Sequence, residues 1–500
     1  MTDESLLTTA HVFRALSQAT NRSIAGATAY LSDSFRSHMS SDFFAVAQEW
    51  GLRFTDHAQD CPLQFFGDSF TVDGEKFMWH SSHKPSSSSR SASEQIARAY
   101  AGMPVVRHIT DEFVSSRILA SERIAVSLII EPKTAVLLLE LHRAGAQVGV
   151  YAPAAEVHQP IADELATRGI KVYAHSRWTP AQEHEGALAL LDELKPTIII
   201  DDGASFARLA SIERPELVSH IKGVAEETTS GVRAFSAMED TGALTYPVIA
   251  SNDSQMKTSF DNVHGTGETC VTTLLNVMGD DYATRSSCIA VIGFGPVGRG
   301  FARRMRSLKA RVIIVEQSAT AALKAQYEGF DVLPLKHAIR ISDCIISATG
   351  VRHTLDVEAL QSVNDGTVLG VIGGISNEIA LDGLTALTGQ IIEPAQDITQ
   401  LDLGNGKYAR LIASADGMNY TISNGNPIEI MDMSFAVQLN AIRMLINQKD
   451  TLGPHVIRMD NDIDEFIARS ALEARHTIID DKQRMVTDWT HTRFADAHAR

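Results

Sequence analysis

Apolar residues along this chain switch repeatedly between two spacings. Residues 124–130 (IAVSLII) form a short, nearly continuous apolar run, the pattern of a strand buried on both faces. Residues 133–144 carry apolar side chains at helical spacing and stop at Gly145. Residues 147–151 predict a strand, 161–168 a helix, 171–174 a strand, and 197–200 a β-branched strand that ends in Asp201 and Asp202. Strand and helix in alternation predict a doubly wound parallel sheet. Carboxylates just past the C-terminal end of a strand stand where such sheets bind ligands. Ahead of this region, residues 1 to about 80 predict a mainly helical extension. The stretch 84–93 (KPSSSSRSAS) has no apolar period and predicts a linker or exposed loop. No internal repeat is visible.

The alternation resumes at 289 with a sharper signature. The strand IAVIG runs into Gly293, Gly295 and Gly298, the helix FARRMRSL follows, and the strand RVIIV ends at Glu316. GFGPVG fits GxGxxG in the context that motif requires: after a strand, opening a helix, with a carboxylate about 20 positions on. Gly293 permits the tight turn, Gly295 lets the backbone approach a pyrophosphate, and Gly298 lets helix and strand pack closely. Pro296 and Val297 sit between them at the helix N-terminus, whose unpaired N–H groups face the phosphates. Glu316 would accept hydrogen bonds from ribose hydroxyls and repel a 2′-phosphate, so NAD is favoured over NADP.

Composition narrows the function. The chain has 500 residues, enough for about three domains, with 44% hydrophobic and 21% charged residues. Its net charge of −17 argues against nucleic acid or anionic membrane as partners and leaves a small-molecule substrate. The four cysteines, Cys61, Cys270, Cys288 and Cys344, are far apart, so neither a disulfide framework nor a metal site is expected. The N-terminus MTDESLLTTA is polar and acidic, unlike a signal peptide, and the expected location is the cytoplasm.

Two polar segments remain. Residues 223–232 read GVAEETTSGV and residues 252–262 read NDSQMKTSFDN. Taken singly, each looks like a loop whose Ser, Thr, Asp and Asn serve as caps and turns. Together with the nucleotide motif, the DDG at 201–203, the SATG at 347–350 and the MSF at 433–435, they resemble the S-adenosylhomocysteine hydrolase (adenosylhomocysteinase) family, as a divergent member. The resemblance runs from about residue 103 to the C-terminus, and residues 1–95 have no counterpart in it.

The resemblance implies a reaction. Bound NAD oxidises a ribose 3′-hydroxyl, the ketone acidifies the neighbouring C4′ hydrogen, the 5′ thioether leaves, water adds and the ketone is reduced again. By the same resemblance, Lys257 assists loss of the 3′-hydroxyl proton, for which its pKa needs lowering. Asp261 hydrogen-bonds that hydroxyl and Glu227 grips its vicinal neighbour. Asp202 works at C4′ and C5′. Asn252 and Asn262 lie at the junction of substrate and nicotinamide. Thr228, Thr229, Ser230 and Thr349 touch NAD, and Asn419 holds the nicotinamide carboxamide.

The departures from the family gather on the substrate side. A catalytic histidine is replaced by Ile129, and an adenine-facing threonine and glutamate become Glu131 and Lys133. Two further histidines become Gly374 and Asn426, and a cysteine becomes Thr266. The tail ends RFADAHAR, without the lysine and tyrosine that reach a neighbouring subunit's NAD in the family. His264 and His158 do not obviously replace the lost imidazoles. A base-reading pocket that loses its hydrogen-bonding partners loses discrimination, so the expected substrate is not S-adenosylhomocysteine itself.

The expected organisation is an extension at 1–95, a substrate domain at 103–258 completed by 428–475, an NAD domain at 268–420 and a tail at 476–500. The fold class is α/β with two doubly wound sheets, and the resemblance implies a homo-oligomer, a tetramer or dimer. The expected activity is oxidation of a secondary alcohol in a vicinal diol, with elimination and addition at the adjacent carbon. A plain NAD-dependent dehydrogenase or epimerase and a non-catalytic NAD or nucleoside sensor stand as alternatives.

Overall fold

A computed structural model describes residues 8–40, 42–59, 61–79, 90–285, 288–394 and 396–480. The first sheet comprises β1 (Thr28–Leu31), β2 (Arg53–Thr55), β3 (Leu63–Phe65), β4 (Ser69–Val72) and β5 (Glu75–Met78) in the order β2-β1-β3-β4-β5. Helices Thr9–Thr20, Asp33–Arg36 and Phe43–Glu49 accompany it. The helical content expected of the extension is therefore present, but a five-stranded sheet comes with it that the apolar pattern did not predict. Its strands are only three or four residues long, too short for alternation to register.

The second sheet contains β6 (Arg123–Ser127), β7 (Gln147–Tyr151), β8 (Lys171–Val172), β9 (Ile198–Asp201), β10 (Gly223–Glu226) and β11 (Val248–Ala250). The third contains β12 (Ile289–Ile292), β13 (Val312–Val315), β14 (Asp331–Val332), β15 (Cys344–Ser347), β16 (Val368–Val371), β17 (Ile398–Asp402) and β18 (Tyr408–Ile412). After the 20-residue helix Ile428–Asn447 the chain returns to the second sheet, where β19 (Val456–Ile457) pairs with β11. The orders are β19-β11-β10-β9-β6-β7-β8 and β14-β13-β12-β15-β16-β18-β17. Both are parallel, as the alternation predicts, except for the antiparallel edge pair β17–β18.

Local departures have local causes. The apolar run at 124–130 stops being strand at Ser127, because the chain turns there towards Pro132, which opens the next helix. The segment 84–93 falls partly on undescribed residues. Its end is the start of a helix, where Ser91 and Glu94 form a capping box for Ala92–Ala101. Residues 252–262, polar enough to look like a loop, are mostly helical. The helix Gln255–Lys257 runs into a π-helix over Thr258–Thr266 and then into Gly267–Met278.

The N-terminal module shares one continuous hydrophobic core with the third sheet, including Phe13, Leu16, Trp50, Val271, Phe301 and Met305. Trp50 Nε1 donates to Ser307 Oγ (2.8 Å), and the Arg304 guanidinium stacks on its ring. The buried Glu268 accepts from the backbone N–H groups of Ile24 and Ala25 at 2.8 and 3.1 Å. The tail 481–500, on which the comparison of RFADAHAR rests, lies outside the described residues.

Candidate active site

A cleft of about 1070 Å³ opens where the C-terminal ends of the two parallel sheets face each other. Turns that follow β6, β9, β10 and β11 supply Glu131, Asp202, Glu227 and Asn252, and turns after β12, β13 and β15 supply Gly293, Glu316 and Thr349. This is the position that parallel α/β topology favours for ligands. Thr228, Thr229, Ser230, Lys133, Lys257, Asp261, Asn262, Gly295, Pro296, Val297 and Asn419 also line it. Gly298 does not. A Cβ there would lie 2.1 Å from the carbonyl oxygen of Gly293, so it serves the close helix–strand packing. At Gly295 a Cβ would meet nothing within 4 Å, leaving an open cradle at the helix start. Glu316 is aimed by backbone donors: Phe294 N–H at 2.7 Å on one oxygen, Gln317 and Ser318 N–H at 2.8 Å on the other.

The π-helix explains how one short segment delivers a cluster. Its wider turn brings positions i+4 and i+5 to the same side. Lys257 Nζ lies 3.1 Å from Asp261 Oδ2 and donates to Asn262 Oδ1 at 2.8 Å. Asn262 in turn donates to Asn252 Oδ1 at 3.2 Å. The helix Pro296–Ser307 packs closely on this π-helix at Gly300, where a Cβ would lie 2.1 Å from the Val263 carbonyl oxygen. From the long helix Ile428–Asn447, Ser434 Oγ sits between Glu227 (3.2 Å) and Asp261 (3.3 Å), and Gln438 Nε2 reaches Glu227 at 3.4 Å.

Asn426, read in the sequence only as a lost histidine, is a junction. Its amide donates to Asp261 and to Thr266 Oγ1 (3.0 Å), and its carbonyl accepts from Asn419 Nδ2 (2.8 Å). Thr228 also fills the ordinary role of a cap, accepting from Gly231 N–H at 3.2 Å. Thr349 is tied to Thr354 and to the buried Glu378.

Electrostatics correct one expectation. Burial alone would push Lys257 down, but Asp261, Glu227 and Asp202 outweigh it and hold the ammonium above its usual pKa. The lysine is thus a cation here, not a neutral base. Glu227 is pushed up to about 7, chiefly by burial, with Lys257 opposing. Burial likewise raises Asp202. Asp201, by contrast, is structural: it accepts from Phe206 and Ala207 N–H at the start of the next helix.

Residues 263–425 match the family model for the NAD binding domain of S-adenosyl-L-homocysteine hydrolase. The adenosylhomocysteinase of Thermotoga maritima is 35% identical over 392 residues, covering 77% of this chain and 96% of that protein. That of Thermococcus kodakarensis is 36% identical, over 78% of this chain and 93% of its own length. The chain belongs to the adenosylhomocysteinase family. The S-inosyl-L-homocysteine hydrolase of Methanopyrus kandleri is 33% identical over 74% of this chain and 88% of its own length.

The family assignment makes this chain an NAD-dependent hydrolase, and its glycine turn, aimed Glu316 and open cradle at Gly295 fit the cofactor. Lys133, fully buried, lies 2.5 Å from Glu131 and donates to the Asn424 carbonyl at 2.8 Å. Asn21 of the N-terminal module donates to the same carbonyl at 2.7 Å, and Gln18 Nε2 donates to Ser423 Oγ at 3.0 Å. Residues 18–21 therefore form part of the cleft wall, a role the sequence reading did not assign to the extension. Among the described residues lining the cleft, the histidines are His158 and His353. His158 is exposed at the rim, and His353 is 2.9 Å from Asp382. His264 packs away from the cleft, 3.0 Å from Arg304. Among the described residues no cluster of metal-ligating side chains occurs and no helix is long and apolar enough to cross a membrane.

Proposed function

We propose that this enzyme oxidises one hydroxyl of a vicinal diol in a nucleoside- or sugar-like substrate and uses the ketone for elimination and addition at the adjacent carbon, on a substrate other than S-adenosylhomocysteine. The observation that carries this reading is the Lys257–Asp261–Glu227 group beside Asn252, Asn262 and Asn419. A diol needs two adjacent grips of this kind, and Asp261 and Glu227 are bridged by one hydroxyl, that of Ser434.

NAD supplies the reversible two-electron oxidation of the carbinol carbon. The protein supplies the proton handling. Lys257, held charged, stabilises the oxygen as its proton leaves, and the adjoining carboxylates Asp261 and Glu227 accept that proton. Glu227 suits a shared proton, because burial brings its pKa to about 7. Asp202 lines the same cleft within the field of Lys257 and Asp261, and takes a proton from the carbon beside the ketone. Glu131 and Lys133 replace the residues that face adenine in the family, which supports a different recognition group.

The test uses purified full-length protein with its NAD. A vicinal diol of the right class raises the near-ultraviolet absorbance of the reduced cofactor on the protein, and S-adenosylhomocysteine releases homocysteine far more slowly than with an ordinary family member. Ordinary homocysteine release overturns the substrate argument. Failure of nucleosides and polyols alike to reduce the cofactor overturns the oxidative reading.

A further inference from the structure

The elimination step needs an acid for the leaving group, and the family histidines that could serve are here Ile129, Gly374 and Asn426. We propose that Glu156 takes over this work, giving its proton to the leaving atom on the carbon next to the ketone and recovering one from the incoming water. The inference rests on the proposed reaction and adds the residue that completes it.

Glu156 closes the short 3-10 turn Ala154–Glu156 after β7 and lines the cleft. That turn is stitched to the segment where the first histidine is missing. Ile130 N–H donates to the Glu156 carbonyl at 2.9 Å, and His158 N–H donates to the Ile130 carbonyl at 2.9 Å. Ile129, which replaces the imidazole, is thus the immediate neighbour of a residue bonded to Glu156. Glu156 is half-buried, and among the described residues its carboxyl makes no hydrogen bond and no ion pair, so it caps nothing and ties nothing together.

The charged and titratable groups around it are Asp202 from the turn after β9, Asp416 and Tyr420 from 413–421, Glu183 from the helix Pro180–Leu194 and Tyr151 at the end of β7. His158 lies two residues on, at the rim. Glu183 is occupied by the Ala154 N–H at 2.6 Å. Burial first, and then the negative charges of Asp202, Asp416 and Glu183, push the Glu156 carboxyl up to about 8. A carboxyl that keeps its proton at neutral pH is a donor.

The protons balance. Asp202 removes the hydrogen beside the ketone. The bond from the adjacent carbon to its leaving atom breaks, the electron pair departs with that atom, and the Glu156 proton goes onto it. Water then adds: its oxygen bonds the adjacent carbon, one of its protons restores Glu156, and Asp202 returns the proton it took.

The experiment compares the NAD-loaded wild type with Glu156→Gln and Glu156→Asp, using S-inosyl-L-homocysteine and S-adenosyl-L-homocysteine as probes at matched cofactor content. Cofactor reduction and thiol release are followed separately. The expected result is reduction within about threefold of wild type in Glu156→Gln, with thiol release down by the ~10²–10⁴-fold of a lost acid. Wild-type thiol release falls as pH rises through about 8, and that limb vanishes in Glu156→Gln. Glu156→Asp keeps the limb at reduced rate. Independently of turnover, the infrared difference spectrum of wild type minus Glu156→Gln shows a protonated-carboxyl band that is lost as pH rises through about 8. Thiol release at the wild-type rate in Glu156→Gln, or no such band in the difference spectrum, overturns the inference and leaves the oxidative reading standing. A wild type whose cofactor is reduced by neither these probes nor any nucleoside or polyol overturns both.

Discussion

The two ends of the cleft are built differently. At the alcohol end of the proposed reaction, Lys257, Asp261, Asn262, Asn252, Asn426, Asn419, Ser434 and Glu227 hold one another through a continuous set of hydrogen bonds and one ion pair, across elements from both parallel sheets. Around Glu131 and Lys133, Lys133 pairs with Glu131 and donates to one backbone carbonyl, and Glu156 has no hydrogen bond of its own. An interlocked network resists piecemeal change, because each removal leaves a buried partner unsatisfied. Isolated contacts can be exchanged one at a time, which on the proposed function lets substrate recognition change while the oxidising groups persist.

The comparison breaks most severely if the cofactor is excluded. Gly295→Val places its side chain in open cleft, so the fold should survive while NAD binding falls at least ~10²-fold by calorimetry, with an unchanged melting temperature. Wild-type affinity would show that the pyrophosphate does not approach there. Next in size is Lys257→Met. It keeps the apolar stem and removes the charge that stabilises the departing proton's oxygen. At matched NAD content, cofactor reduction by a diol should drop by ~10²–10⁴-fold, and reduction at the wild-type rate would make the alcohol end a relic without chemistry.

The recognition end should respond more gently. The pair of changes Glu131→Thr and Lys133→Glu restores the residue types that face adenine in the family. Binding of S-adenosylhomocysteine should tighten by about 10-fold, as one or two recovered hydrogen bonds warrant, with cofactor reduction by small polyols unaffected. A loss of polyol oxidation in that variant would show the two ends to be coupled. The smallest effect is expected from Asn21→Ala, which removes one hydrogen bond from the N-terminal module to the Asn424 carbonyl. About 1 kcal/mol is at stake, read as a severalfold rise in KM with kcat unchanged. A fall in kcat with constant KM would place Asn21 in the alcohol-end network instead.

Much of this was legible because some functions demand particular residues in a particular order. The glycine turn with its distal Glu316, and the segments around Glu227 and Lys257, are short in sequence and chemically unusual. What escaped notice was ordinary in type. Glu156 is one glutamate among many acidic residues until the fold surrounds it with Asp202, Asp416 and Glu183. Asn426 looked like a gap in a pattern, and only its contacts with Asp261, Thr266 and Asn419 show a role. The polar composition of 252–262 hid a π-helix, because a turn buried in a cleft can carry the hydrophilic side chains of a loop.

The sequence by itself determined the alternation that builds two parallel sheets, the cofactor turn and the segments around Glu227 and Lys257 that carry the family resemblance, since each depends on local spacing or on a motif within one segment. Tertiary structure alone decided which charges meet. Lys257 is kept an ammonium by three carboxylates, two of them from distant turns. The N-terminal module, whose short strands leave no periodic trace, becomes a wall of the cleft through Gln18 and Asn21. Electrostatic fields and shared walls arise from groups far apart in the chain, and nothing in their local order records that folding brings them within a few ångströms.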